Sequence, residues 1–183
     1  MCSSDLTKTF IERLMLSGRD LPPTVIDADG LNTLSQIDNW WNRLDDDAIL
    51  TPHPGEMGRL TGDSTRNQDR VITATSAASR WNKTVILKGA HTVIAFPDGR
   101  AMISPFSNPG LATAGTGDVL AGAIAGLVSQ GLSLADSSAL GVYLHGLAGE
   151  RVRDTLGDTG MVASDLLPVL PAVIRDLKQG GPA

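Results

Sequence analysis

The chain has 183 residues, 42% of them hydrophobic and 19% charged, with a formal net charge of -5. That size and mixture fit one soluble globular domain, and the acidic balance argues against a non-specific nucleic-acid binder. A single cysteine, Cys2, excludes an internal disulfide and a cysteine-based zinc site, and fits a reducing cytosol.

The first residues, Met1-Cys2-Ser3-Ser4-Asp5-Leu6, carry neither the basic segment nor the apolar core of a signal peptide. The longest near-apolar run, residues 119–128, is about half the roughly 20 residues that span a bilayer. A cytoplasmic protein with no membrane partner is expected. The three histidines show no metal-binding spacing, so no residue is assigned as a metal ligand.

Residues 10–16 read as the end of an amphipathic helix, with Gly18 as its terminator. Pro22-Pro23 breaks the chain before a short apolar strand, Thr24-Val25-Ile26, which runs into Asp27-Ala28-Asp29-Gly30-Leu31-Asn32. Short apolar strands, polar glycine-containing loops and helices in alternation predict an α/β fold with a parallel sheet. Ligands in such folds bind beyond the carboxyl ends of the strands. Asp27 and Asp29 could touch a ligand or metal there, or serve a turn and a helix cap.

Residues 34–44, with Trp40 and Trp41, read as a short helix whose tryptophans pack. The strand Ala48-Ile49-Leu50 delivers Thr51-Pro52-His53-Pro54-Gly55-Glu56, whose prolines stiffen the loop around His53. That histidine is either a surface residue in a rigid turn or a ligand contact at a strand end. Asp63 or Ser64 can cap a helix running to about Trp81, with Val71, Ala74, Ala78 and Trp81 on one face.

A buried-type strand, Thr84-Val85-Ile86-Leu87, ends in Lys88-Gly89, where the lysine is either solvated or reaches a phosphate. Two further strands, around residues 92–96 and 101–104, are joined by a Pro97-Asp98-Gly99-Arg100 turn as a structural hairpin. The hairpin leads into the densest small-residue stretch, Asn108-Pro109-Gly110-Leu111-Ala112-Thr113-Ala114-Gly115-Thr116-Gly117-Asp118, which opens an Ala-rich helix. Glycines bring backbone N–H groups close to a ligand, and a helix N-terminus adds unpaired donors and a positive dipole end. Asp118 therefore either caps its helix or acts as a base or metal-handling acid beside bound phosphates.

Gly131 ends that helix, and Ser133 starts a core helix to about Leu156, with Gly141, Gly146 and Gly149 allowing close packing and His145 as a packing or hydrogen-bonded residue. A last helix from Ala163, its regularity limited by Pro168 and Pro171, packs Leu166, Leu167, Val169 and Leu170. No repeat or linker interrupts the chain, so residues 1–183 read as a single domain.

Gly115-Thr116-Gly117-Asp118 opening an Ala/Gly-rich helix resembles the signature of the ribokinase-like superfamily. The longer string from Asn108 narrows the resemblance to the NAD(P)H-hydrate dehydratase family, as do Asp27-Ala28-Asp29-Gly30-Leu31-Asn32, His53-Pro54-Gly55-Glu56 and Lys88-Gly89-Ala90-His91-Thr92. This resemblance implies a three-layer α/β/α fold with a mainly parallel sheet. It also implies repair of hydrated NADH or NADPH, using ADP or ATP with Mg2+, ADP being preferred as in bacterial relatives. By resemblance His53 holds the hydrated nicotinamide, Lys88, Gly89, Ala90, His91 and Thr92 line the nucleotide site, and Asn108, Pro109, Gly110, Leu111, Ala112, Thr113, Ala114, Gly115, Thr116 and Gly117 receive the phosphates. Asp118 is then the catalytic base and a substrate contact, and the protein is a homo-oligomer, a tetramer in relatives.

The departure lies at the front, where family members carry further βα units before the first strand. The expectation is an N-terminally truncated domain with an exposed sheet edge near residues 24–26. Two other functions are carried: a ribokinase-like kinase acting on a vitamin precursor or sugar, and a non-catalytic nucleotide-binding fragment.

Overall fold

The computed structural model describes residues 3–16, 21–44, 47–62, 69–157 and 159–180. They fall into two compact units, one of residues 1–88 with 93–101 and one of residues 89–92 with 102–183. Gly18, Asp63 and Ser64 lie outside the described residues.

In the first unit, helix α1 (Ser3–Met15) precedes β1 (Thr24–Ile26), α2 (Ala28–Leu34), β2 (Ala48–Leu50), α3 (Pro54–Thr61), α4 (Arg70–Trp81), β3 (Thr84–Leu87) and β4 (Val93–Ala95). The first three strands are parallel, with Ile26 beside Leu50 and Leu50 beside Val85, and β4 returns antiparallel to β3. Sheet order follows chain order, ending in β5 (Ala101–Ile103), which begins in this unit at Ala101. Among the described residues β1 is the outer strand of the sheet.

Every residue of β2 and β3 is buried. That explains why both read as unbroken apolar runs rather than alternating ones. In the parallel register β1 and β2 end level with Val85, and β3 runs two residues further, so Asp27, the 51–56 loop and Lys88 emerge from the same end of the sheet.

Two sequence expectations change here. Residues 34–44 are not a helix: α2 ends at Leu34, and only a 3-10 turn, Trp40–Asn42, follows. Asn39, in the left-handed region at φ 51°, resets the chain so that Trp40 turns inward. The helix ending at Trp81 starts later than Asp63 or Ser64 implied, because Asp69 caps it by accepting from the N–H groups of Val71 and Ile72. Its inward face is as expected, Ala74, Ala78 and Trp81 being buried and Val71 partly so.

In the second unit, α5 (Thr116–Ser129), α6 (Leu134–Leu156) and α7 (Ala163–Lys178) pack around Leu144, Leu147, Ala148, Val152, Met161, Leu166 and Val173. Ser133 caps α6 by accepting from the N–H of Asp136 at 3.0 Å. Gly131, at φ 90°, turns the chain out of α5. Contrary to expectation, α7 runs unbroken through Pro168 and Pro171. Both prolines sit on its exposed side, where water can satisfy the carbonyls they leave unpaired. Leu167 is on that side too, 57% exposed rather than packed.

The glycines of α6 are contact points. A Cβ at Gly146 would run into the ring of Phe106, and one at Gly149 would stand 2.8 Å from Leu111. Gly146→Ala gains about 1 kcal/mol of helix propensity, but forcing the ring aside costs about 1–3 kcal/mol. The expected net result is a loss of up to about 2 kcal/mol in thermal unfolding. An unchanged midpoint would mean that Phe106 yields freely.

Candidate active site

Two groups of expected site residues are organised by the fold, one in each unit. In the first, Thr51-Pro52 leaves β2 and His53 becomes the N-cap of α3, with Pro54 at the first helical position. The N–H groups of Gly55 and Glu56 both donate to His53 Nδ1, at 2.9 and 3.3 Å. Nδ1 must therefore carry the lone pair, which leaves the proton on Nε2. Glu56 completes a capping box by accepting from the His53 N–H at 2.7 Å. The rigid-turn and ligand readings of His53 are thus compatible: Nδ1 caps a helix, Nε2 faces the Glu56 carboxylate at 3.4 Å, and half of the ring remains exposed for contact with a ligand. Replacing His53 by Ala removes the cap, and about 1 kcal/mol should disappear from unfolding stability. A loss below about 0.3 kcal/mol would show that the cap is inert.

Lys88 is fixed at both backbone and side chain. Its N–H donates to the Pro52 carbonyl at 2.8 Å, and Arg70 donates to the carbonyls of Leu87 and Lys88 at 2.9 and 3.2 Å. Burial holds the Arg70 guanidinium below its ordinary pKa. The Lys88 ammonium lies 2.6 Å from the Asp27 carboxylate and 3.8 Å from that of Glu56. It is therefore held in place and is not the solvated lysine that its sequence position allowed.

Within the second unit, residues 89–92 close on themselves: the Gly89 N–H donates to Thr92 Oγ1, which donates to the Gly89 carbonyl at 3.0 Å. Gly89 and His91 both have positive φ, at 148° and 52°. The His91 N–H donates to the Phe106 carbonyl at 2.9 Å, and Nδ1 lies 3.1 Å from the Ser104 carbonyl. These bonds tie the segment to the start of the glycine-rich loop.

The loop is internally braced. Asn108 accepts from the Gly110 N–H at 2.9 Å and opens a 3-10 turn, Pro109–Ala112. Thr116 Oγ1 donates toward the carbonyls of Leu111 and Thr113, at 2.6 and 2.8 Å. Gly115, at φ 88°, is the N-cap of α5, and a Cβ there would stand 3.0 Å from that of Ala163. No side chain caps this helix. Gly117 and Asp118 leave their N–H groups without a partner among the described residues. The positive end of α5 is therefore open to an anion. Asp118, in the first turn, is exposed and accepts no hydrogen bond among the described residues, so the helix-cap reading fails. His145, expected to pack or to hydrogen-bond, lies 2.9 Å through Nε2 from the Thr116 carbonyl and braces the loop from α6.

Asp27, Glu56 and Arg70 were not assigned these roles from sequence. For Glu56 a signal existed, the N-cap-x-x-Glu spacing of a capping box. The Asp27 and Arg70 partners lie 61 and 17 or 18 positions away, which no local pattern reveals.

Known proteins share this architecture. A ribokinase-like superfamily protein of Enterococcus faecalis superposes with a TM-score of 0.78 at 26% identity, over 95% of this chain and 58% of that one. The Bacillus subtilis ADP/ATP-dependent NAD(P)H-hydrate dehydratase, co-crystallised with ATP/Mg2+ and soaked with CoA, gives a TM-score of 0.75 at 34% identity, over 84% of this chain and 56% of that one. The bifunctional NAD(P)H-hydrate repair enzyme Nnr of Moorella thermoacetica is 45% identical over 177 residues, covering 96% of this chain but 32% of that protein. The fold is thus the ribokinase-like α/β fold.

Within that class the assignment is narrower. A sequence profile of the NAD(P)H-hydrate dehydratase family matches residues 6–172. The chain belongs to that family, and it spans between a third and three-fifths of the relatives just described.

Proposed function

We propose that this chain carries the ADP-dependent dehydration of the (6S) hydrate of NADH or NADPH. The observation that carries the reading is the opening of α5: uncapped N–H groups for phosphate, beside a carboxylate with no structural task. The family profile spans both units, which supports treating them as parts of one domain. The names of the relatives supply the substrate class, and the ATP/Mg2+ co-crystal of one supports ATP as an alternative donor.

In this reading, the terminal phosphates lie on residues 108–117, where backbone donors are preorganised. Asp118 takes the proton of the ring hydroxyl as its oxygen bonds to the terminal phosphorus and the phosphoanhydride bond breaks. Phosphate then leaves with the former hydroxyl oxygen, the adjacent ring carbon loses a proton, and the dihydronicotinamide is restored. His53 presents its half-exposed ring to the substrate, and residues 88–92 line the nucleotide site. Among the described residues no three His, Cys, Asp or Glu side chains gather around a metal position. In this reading Mg2+ enters with the nucleotide substrate, as the ATP/Mg2+ co-crystal of the Bacillus subtilis relative supports. No helix among the described residues is long and apolar enough to cross a membrane. A cytoplasmic homo-oligomer, tetrameric as the resemblance implies, completes the proposal.

Release of inorganic phosphate separates this reaction from a kinase. Hydrated NADH with ADP should yield phosphate and NADH in equal amounts. A stable phosphorylated product without free phosphate would replace the dehydratase reading with the kinase one.

A further inference from the structure

Asp27 occupies the N-cap of α2, where a carboxylate ordinarily accepts from the N–H groups one turn ahead. It makes no such bond. The next residue, Ala28, is held at φ 47°, a region that a residue with a Cβ avoids. A forgone cap followed at once by backbone strain marks a position constrained by something other than the helix.

What Asp27 does instead is reach from the end of β1 to the end of β3. Its carboxylate meets the Lys88 ammonium at 2.6 Å, with only 14% and 19% of the two side chains exposed. Glu56, from the loop after β2, lies 3.8 Å from the same nitrogen. All three strand ends thus contribute one charge each, and the cation is outnumbered two to one. An ammonium has three donors in rotation. Asp27 takes one and Glu56 faces another, so the third remains for an anionic oxygen.

We propose that Asp27 is a positioning residue that fixes the Lys88 ammonium at the strand ends, so that a nucleotide phosphate oxygen meets one anchored donor instead of a mobile cation. Without the anchor, Lys88 can still attract phosphate as a point charge, but it no longer holds the phosphate in one geometry. This proposal rests on the nucleotide-dependent reading of the site.

The test is a double-mutant cycle on the full 183-residue chain, with D27N, K88M, the double variant and D27E, reading ADP affinity by calorimetry and the kcat and KM of hydrate repair. D27N preserves shape, and thermal midpoints report whether each variant is folded. D27N should lower kcat by about 10- to 100-fold, the range for a small misplacement of reacting groups, and weaken ADP binding by a smaller but measurable factor of about three. D27E should recover part of the loss. In the K88M background, D27N should cost nothing further in kcat or ADP affinity. The proposal is overturned if D27N leaves kcat unchanged, or if its effect persists undiminished beside Met at position 88. If the wild-type chain binds ADP without repairing the hydrate, the activity reading fails alone. The ADP-affinity cycle then decides this proposal: an effect of D27N that requires Lys88 supports it, and an additive or absent effect overturns it. A wild-type chain that binds no ADP overturns both.

Discussion

Asp118→Asn is expected to lower the rate of hydrate repair by about 10²- to 10⁴-fold, the range attributed to a positioned general base. The substitution keeps size and shape, and it breaks no hydrogen bond among the described residues because Asp118 makes none. Stability should therefore stay within about 0.5 kcal/mol of wild type, as for other surface replacements. Removing a negative charge from the anion-binding end of α5 should, if anything, tighten ADP binding. The expected pattern is a collapse of kcat with nucleotide affinity retained. Parallel loss of both would instead assign Asp118 to nucleotide binding, and near-normal turnover would remove it from the mechanism.

The second large effect concerns the core of the first unit. Trp81→Ala should cost about 3–5 kcal/mol, the range for deleting a large buried aromatic side chain. Trp81 is 2% exposed, and its ring lies 5.2 Å from that of Trp40 and 6.4 Å from that of Trp41. Arg80 lies over the outer face of Trp41, at 4.5 Å from the ring centre, so the group is roofed by a cation–π contact. Removing Trp81 leaves Trp40 facing a void that the fully buried β2 and β3 cannot collapse to fill. Urea unfolding followed through the remaining tryptophans would measure the loss. A cost below 1 kcal/mol would mean that these rings lie against one another without supporting the core.

The sequence made the strands and the later helices legible because their signals are local. Residues 24–26, 48–50 and 84–87 are apolar runs bounded by polar or proline-containing turns, and all three are strands. Ser133 and Gly131 mark a helix start and a helix stop by side-chain and backbone chemistry that needs no tertiary partner. The errors arise where tertiary packing overrides a local rule. Trp40 is buried by a 3-10 turn rather than a helix face, and Pro168 and Pro171 are tolerated because α7 turns them toward solvent.

The candidate site divides along the same line. The loop at residues 108–118 is a continuous segment whose braces run between residues close in sequence, so its form could be read from its glycines and threonines. The fate of Lys88 could not. Its partner Asp27 comes from another strand, and only the parallel register brings the two side by side. A strand-end aspartate that looks like a helix cap gives no local sign that its carboxylate is engaged elsewhere.

The most direct measurement is the return of dihydronicotinamide absorbance when the chain is mixed with hydrated NADH and ADP, ATP or no nucleotide. Recovery that requires nucleotide, and is faster with ADP, is the predicted result. Absorbance that stays flat with either nucleotide, in a chain shown to bind ADP, would contradict the account and leave a nucleotide-binding fragment without the repair activity.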